Sequence, residues 1–165
     1  MATTKSLTRF VPGPRALIAL ALITACLGCG SNTPTSPGGT PAFITVSVAP
    51  IPIVSTVYST VGPIYAAGWT TSIVESAGRG GTVQFVKATV YDPTTGKVTA
   101  TANYDDKDLT VFVGTSRVEA KGHLEVPQQA TYALSTGKAA TLTVNVTFKD
   151  DGGIVQERSI LAQIE

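Results

Sequence analysis

The sequence predicts an all-β protein, an antiparallel β-sandwich of about seven to nine strands over residues 42–165. Two observations predict it. Short stretches alternate between apolar and polar residues, and glycine, proline and aspartate interrupt them at short intervals, as in half-buried strands joined by turns. A length of 165 residues suits a single domain. Both cysteines precede residue 30, so the predicted sandwich has no disulfide framework.

The C-terminal hairpin has the clearest pattern. Residues 141–149 carry apolar side chains at every second position, which gives a strand one buried face and one exposed face. Those apolar positions are Leu142, Val144, Val146 and Phe148. The segment Asp150-Asp151-Gly152-Gly153 follows, and an Asp-Gly pair supplies the positive φ angles of a tight hairpin. Residues 154–164 are predicted to form the returning strand.

A second hairpin is predicted over residues 82–104. Residues 82–91 are rich in β-branched and aromatic side chains, and Asp92-Pro93-Thr94-Thr95-Gly96 then supplies the turn. Residues 97–104 form the returning strand. The apolar residues before Phe85 are out of phase with those after it, which predicts a β-bulge near Phe85.

The remaining strands have weaker patterns. The prolines at positions 50, 52 and 63 restrict the early strands to sheet edges or strand ends. Turn-forming segments at 78–81, 105–108 and 135–137 separate the later ones, and no window keeps a helical period over ten residues. These weaker strands are predicted at 43–49, 51–58, 69–76, 109–113, 117–124 and 130–134.

The order of these strands resembles bacterial immunoglobulin-like and fibronectin-type-III-like modules. The segments that carry the resemblance are 44–48, 88–92 and 144–148, within residues 43–165. The resemblance implies two packed antiparallel sheets. The Cys…Trp…Cys signature of antibody domains is absent because the body has no cysteine.

The N-terminus has the charge pattern of an exported protein. The basic residues Lys5, Arg9 and Arg15 precede an apolar run at 16–25, and no acidic residue occurs before position 26. That run has about ten residues, whereas a membrane-spanning helix needs about 20. It ends in Ile23-Thr24-Ala25-Cys26, which resembles the lipobox of bacterial lipoproteins.

The lipoprotein resemblance implies a signal peptide at 1–25 and a diacylglycerol-modified Cys26 as the new N-terminus. Two or three acyl chains anchor a protein stably where one does not. Leu27 rather than aspartate after the cysteine resembles outer-membrane sorting. Cys29 is the alternative lipidation site, although a cysteine three positions before it is unusual. An ordinary signal peptide that happens to contain cysteines is a further alternative.

Residues 26–41 are predicted to form the lipidated cysteine and a linker. Their Gly, Ser, Thr, Asn and Pro content cannot bury a core. The pair Cys26 and Cys29 has redox or zinc-site spacing, but no second Cys/His pair completes a metal shell. Charged residues are only 14% of the chain and nearly balanced in sign, so no nucleic-acid partner is predicted.

No catalytic constellation is visible, so the chain is predicted not to be an enzyme. His123 is the single histidine, and no Gly-x-Ser-x-Gly segment supplies a nucleophilic serine. The acidic segments 105–108 and 150–151, with Asp92, could offer oxygens to calcium, but solvated turn acids are the simpler interpretation. No cofactor and no metal are predicted.

Aromatic residues are the remaining candidates for a ligand site. Trp69 follows Gly68 and is the best candidate for an exposed ring on which a sugar could stack, although core packing is the commoner fate of a strand tryptophan. The tyrosines considered with it are Tyr58, Tyr65, Tyr91, Tyr104 and Tyr132.

The sequence therefore predicts a non-enzymatic binding or structural sandwich, anchored by lipid in a bacterial cell envelope, with the outer membrane as the expected location. An envelope protein or a polysaccharide is the expected partner, besides the membrane itself. The alternative is a surface carbohydrate-binding module.

Overall fold

The computed structural model describes residues 39–59 and 61–165, which belong to one compact unit. Within this part of the chain, nine strands and one short helix form two antiparallel sheets packed face to face. The predicted all-β sandwich is therefore confirmed. The elements are β1 (Ile44–Ala49), β2 (Ser55–Ser59), β3 (Ile64–Glu75), β4 (Gly81–Tyr91), β5 (Val98–Asp105), α1 (Asp106–Val113), β6 (Arg117–Val118), β7 (His123–Ala133), β8 (Ala140–Asp150) and β9 (Val155–Ile164).

The first sheet is built around the long strand β3. Strand β7 pairs along one side of β3, while β1 and β2 pair with its two halves on the other side. The prolines at positions 50 and 52 lie between β1 and β2, where the edge strand is interrupted. Since proline cannot donate a backbone hydrogen bond, its place at a break in an edge strand agrees with the sequence-based expectation.

The second sheet has the order β5-β4-β8-β9, and the two-residue β6 pairs with the start of β4. At the break between β1 and β2, Ile53 bridges in parallel to Ile164 of β9, so the edge chain touches the second sheet before it returns to the first. A four-stranded sheet thus faces a five-stranded sheet, and the segment between β1 and β2 contacts both. This arrangement confirms the immunoglobulin-like sandwich.

The bulge predicted near Phe85 is present. The pairing of β4 with β8 shifts register between Val83 and Phe85. Val83 and Val86 are both fully buried, whereas the Phe85 side chain is partly exposed. One extra residue therefore lets apolar side chains on both sides of it face the core.

Alternating burial forms the core between the sheets. The inward side chains of β8 are almost completely buried and meet those of β3, β4 and β7. The larger core side chains are Ile44, Ile53, Trp69, Ile73, Val83, Val86, Val90, Leu109, Tyr132, Leu142, Val144, Phe148 and Ile164.

The strand predicted at 109–113 and the turn predicted at 105–108 are both wrong, because the chain forms helix α1 there. The Asp105 side chain accepts hydrogen bonds from the backbone N–H groups of Lys107 (2.9 Å) and Asp108 (2.8 Å). Asp108 in turn accepts from the N–H of Asp105 at 3.2 Å, which completes a capping box. Gly114, with φ of 85°, ends the helix.

Packing explains why the helix forms despite its valines. Val111 and Val113 favour strands, and an isolated eight-residue helix is marginal in water. Leu109 is fully buried against the sandwich, and that burial supports the two turns. The strand predicted at 117–124 is also corrected: it divides into the short β6 and the start of β7.

At the end of the sandwich where the chain enters, the Glu75 carboxylate accepts hydrogen bonds from the backbone of three segments. Its Oε1 accepts from the N–H of Phe43 (3.1 Å) and Ala77 (2.8 Å). Its Oε2 accepts from Gly78 (2.9 Å) and Lys121 (2.8 Å). Burial alone would raise the pKa of Glu75, but these four N–H groups outweigh it and lower the pKa from 4.5 to about 2.

Two other buried carboxylates, those of Asp92 and Asp150, also accept hydrogen bonds from backbone N–H groups. Asp92 accepts from the N–H of Thr94 and Thr95 and from both the hydroxyl and the N–H of Ser135. The Ser135 hydroxyl is the main reason that the pKa of Asp92 lies well below its usual range. Asp150 accepts from the N–H of Ala42 at 3.3 Å, at the end where the chain enters.

Replacing Glu75 with alanine is expected to lower the free energy of unfolding by roughly 2–4 kcal/mol, because buried N–H groups lose a charged acceptor. The folded-state pKa of about 2 lies below the ordinary 4.5. The stabilisation from this carboxylate is therefore complete above about pH 4.5 and is lost as the pH falls toward 2. Urea denaturation of the wild type and the variant across this pH range measures both effects.

The matched control is Glu119→Ala, since Glu119 is exposed and pairs only with Arg117 at the surface. We expect this variant to change the free energy of unfolding by less than about 0.5 kcal/mol. Equal losses in the two variants, or parallel pH profiles for the wild type and Glu75→Ala, would contradict the role of Glu75.

Candidate functional site

The candidate site lies on the side of the sandwich where β5 and β7 approach each other. Helix α1 packs against β4, β5 and β7 there. Leu109 faces inward and is fully buried, whereas Val111 and Phe112 are 89% and 55% exposed. A short helix thus covers the gap between the sheets and presents apolar side chains to solvent.

An aromatic pair dominates this surface. The rings of Tyr104 on β5 and Phe112 on α1 are stacked, with centroids 5.7 Å apart and planes inclined by 18°. The pair lines a cavity of about 320 Å³ together with residues of β7, and a cavity of about 350 Å³ together with residues of β5 and α1. We call the two together the helix groove; its lining residues are Asn103, Tyr104, Asp108, Val111, Phe112, Pro127, Gln128 and Gln129.

Gln128 is the buried polar member of the helix groove, with 5% of its surface exposed. Its Oε1 accepts hydrogen bonds from Trp69 Nε1 at 2.9 Å and from Thr71 Oγ1 at 2.6 Å. Because an indole N–H can only donate, the amide cannot be turned round without losing that bond. Nε2 is therefore fixed on the opposite side, where no described residue accepts a hydrogen bond from it.

A buried amide N–H₂ without an acceptor is costly, and such groups in folded proteins usually have a partner. Here the donor belongs to a residue that lines a groove with a stacked aromatic pair. A ligand that offers both an oxygen acceptor and an apolar ring face matches these two features.

Trp69, predicted as a possible exposed ring, lies in the core. Only 3% of it is exposed, because it occupies an inward position of β3 between the buried residues Ala67 and Thr71. It therefore offers no stacking face to a sugar. Its role in the site is indirect: its N–H orients the amide of Gln128.

The predicted tyrosines are dispersed. Tyr132 is buried and contacts the Tyr65 ring at 5.8 Å, and Tyr91 is half-buried at the end of β4. Tyr58 is 70% exposed on β2 and does not line the helix groove, although the cavity that it lines shares Gln129 with the groove. Only Tyr104 contributes to the groove. Its partner Phe112 was not among the predicted residues, although the capping residues before it are a signal for the helix that presents it.

His123 occupies the first position of β7, opposite Val74, and is exposed. Among the described residues it makes no hydrogen bond to a serine or a carboxylate, so no triad forms around it.

The acidic segments considered for calcium have other partners. Asp105 and Asp108 cap α1, as described above, and Asp150 accepts backbone N–H groups. Asp151 receives two hydrogen bonds of 2.9 Å from Arg117, which lower the pKa of Asp151. Within residues 39–59 and 61–165, no three His, Cys, Asp or Glu side chains are grouped as metal ligands would be.

The predicted signal peptide at 1–25 and the predicted lipidation site, Cys26 or Cys29, lie outside the described residues, and only 39–41 of the predicted linker are described. In the part of the chain that is described, no helix has the length and apolar character to cross a membrane.

Comparison with known proteins supports the fold and nothing finer. No family model and no curated protein match the chain. A Bordetella pertussis protein provisionally assigned as ApaA covers 76% of this chain and 94% of its own, at 17% identity and a TM-score of 0.54. The structural-genomics target SoR45 covers 76% and 86%, at 9% identity and a TM-score of 0.54. Likeness at such low identity concerns architecture alone.

The burial of Trp69 can be checked by fluorescence, since it is the one tryptophan of the chain. We expect blue-shifted emission that iodide quenches poorly, because the indole is surrounded by the core. As a matched control, Trp69→Phe combined with Tyr58→Trp moves the fluorophore to a side chain that is 70% exposed. Emission from the control should be red-shifted and readily quenched. Equal quenching of the two proteins would contradict the burial.

Proposed function

We propose that this chain is a lipid-anchored protein of the bacterial cell envelope that acts by binding, without catalysis, through the helix groove. The observation that carries the binding role is the unpartnered Nε2 of the buried Gln128 in a groove lined by the half-buried Tyr104 and the exposed Phe112. Exposed aromatic rings and a convergent polar donor are typical of ligand sites on rigid scaffolds.

The anchoring is supported by the sequence Ile23-Thr24-Ala25-Cys26 and by the polar segment that follows it. The first described residues join the sandwich at the Glu75 end, where the carbonyl of Ala42 accepts a 2.6 Å hydrogen bond from Gln156. An anchor at Cys26 would hold that end toward the membrane on a tether of at most about 50 Å. Leu27 supports an outer-membrane location.

A non-catalytic role is supported by what surrounds the reactive groups. His123 has neither a nucleophile nor an orienting acid in hydrogen-bond reach among the described residues. Glu75, Asp92 and Asp150 are occupied by backbone N–H groups. These hydrogen bonds lower the pKa of Glu75 and of Asp92, which therefore serve as structural acceptors rather than as proton donors.

A surface carbohydrate-binding module is the second candidate function. It is favoured by the stacked pair of Tyr104 and Phe112, which takes the place of the buried Trp69 as the candidate sugar-stacking surface.

Replacing Cys26 with alanine is expected to abolish lipidation. In a bacterial host supplied with labelled palmitate, the wild type should incorporate the label and partition into detergent. The variant should stay unlabelled, because the diacylglycerol is linked to this thiol, and should keep its uncleaved signal segment. Gel fluorography and membrane fractionation measure both outcomes.

Cys29→Ala is the matched control, since it removes the neighbouring thiol and leaves the proposed lipobox intact. It should be labelled as the wild type is. Loss of label in Cys29→Ala alone would move the anchor to Cys29, and an unlabelled wild type would refute lipid anchoring altogether.

A further inference from the structure

We propose that the helix groove binds a neutral saccharide, with one sugar ring stacked on Phe112 and a ring or hydroxyl oxygen accepting a hydrogen bond from Gln128 Nε2. This inference rests on the binding role proposed above and names the ligand class and the two residues that select it. Three features of the groove lead to a sugar rather than to a peptide, an anion or a cation.

The first feature is the combination of a flat apolar surface with a fixed donor. A sugar ring has one apolar C–H face and a rim of oxygens, so it can cover Phe112 while an oxygen meets the amide. Phe112 is 55% exposed and is held in place by its stack with Tyr104. Gln128 cannot turn its amide away, because Trp69 and Thr71 hold its oxygen.

The second feature is the polar rim. Asn103, Asp108 and Gln129 are all exposed and line the helix groove. Amide and carboxylate groups together can both donate to and accept from sugar hydroxyls, each of which is itself a donor and an acceptor. A quaternary cation would find the aromatic pair and Asp108 favourable, but it would leave the buried N–H₂ of Gln128 without an acceptor.

The third feature excludes the other common ligands of a sheet edge. Pro127 lies within β7 and lines the helix groove. A peptide that added to β7 as a further strand would need backbone N–H donors along it, and a proline has none. The start of α1 carries three acidic side chains, Asp105, Asp106 and Asp108, against the single Lys107, and this net negative charge would repel an anionic polymer. An uncharged ring compound remains.

Ligand binding must also expose the Nε2 donor of Gln128. Nε2 of Gln128 is inaccessible to water in this structure, although the residue lines the helix groove. A ligand oxygen therefore reaches it only when a neighbouring side chain shifts. Because Gln128 Oε1 accepts a hydrogen bond from the Trp69 indole, we expect this shift to change the tryptophan emission. The fluorescence of the single tryptophan therefore reports ligand binding.

The test is a titration of the purified full chain with cellohexaose, maltohexaose and chitohexaose, followed by Trp69 fluorescence and by isothermal calorimetry. At least one of the three should give a saturable signal. Phe112→Ala should weaken binding about tenfold or more, because the stacking face is removed. Gln128→Glu keeps an oxygen for Trp69 and Thr71 but replaces the donor with an acceptor, and should weaken binding by a similar factor.

Tyr58→Ala is the matched control, since Tyr58 is an exposed aromatic outside the helix groove, and its affinity should stay within about twofold of the wild type. Circular dichroism melting confirms that each variant is folded. The absence of a saturable signal with all three sugars would overturn the proposal. An equal loss of affinity in Tyr58→Ala and Phe112→Ala would overturn it too. Saturable binding of choline that Phe112→Ala abolishes, without any sugar signal, would make the groove a cation site instead.

This experiment and the palmitate experiment fail independently. If the protein is labelled by palmitate but binds none of the sugars, the lipid anchor is supported and the saccharide ligand is refuted. An unlabelled protein that binds sugar through Phe112 and Gln128 would retain the groove and lose the anchor.

Discussion

The sandwich depends on buried carboxylates that accept backbone N–H groups from its loops. Glu75 alone receives four such bonds, which join β1, the turn after β3 and the loop before β7. Asp92 does the same at the opposite end, and Asp150 holds the chain where it enters. The sandwich contains no cysteine, so these charged acceptors replace disulfides as the long-range ties between its loops.

Helix α1 shows how this scaffold creates a site. The capping box of Asp105 and Asp108 begins a helix between β5 and β6 of the second sheet, and burial of Leu109 stabilises it there. The helix fills the gap beside β7 and brings Phe112 against Tyr104. Without those two turns the connection would leave the sheet edges open, and the groove would lose one of its walls.

Trp69 and Gln128 link the core to that groove. The indole was predicted as a possible binding surface, yet its ring packs inside and its N–H fixes an amide 59 residues away in sequence. The oxygen of the amide is therefore satisfied in the core, and its buried Nε2 has no acceptor among the described residues. An unsatisfied buried donor of this kind is unusual in a folded protein, and the proposed ligand would supply the missing acceptor.

The sequence alone predicted what depends on neighbouring residues: the alternating strands, the two hairpins and the bulge at Phe85, since side-chain period and turn chemistry are local properties. The helix was missed because its valines favour strands, and only burial of Leu109 reverses that preference. Whether Trp69 faced solvent or core, and whether Gln128 kept a free donor, was decided by tertiary structure, because both depend on contacts between distant strands.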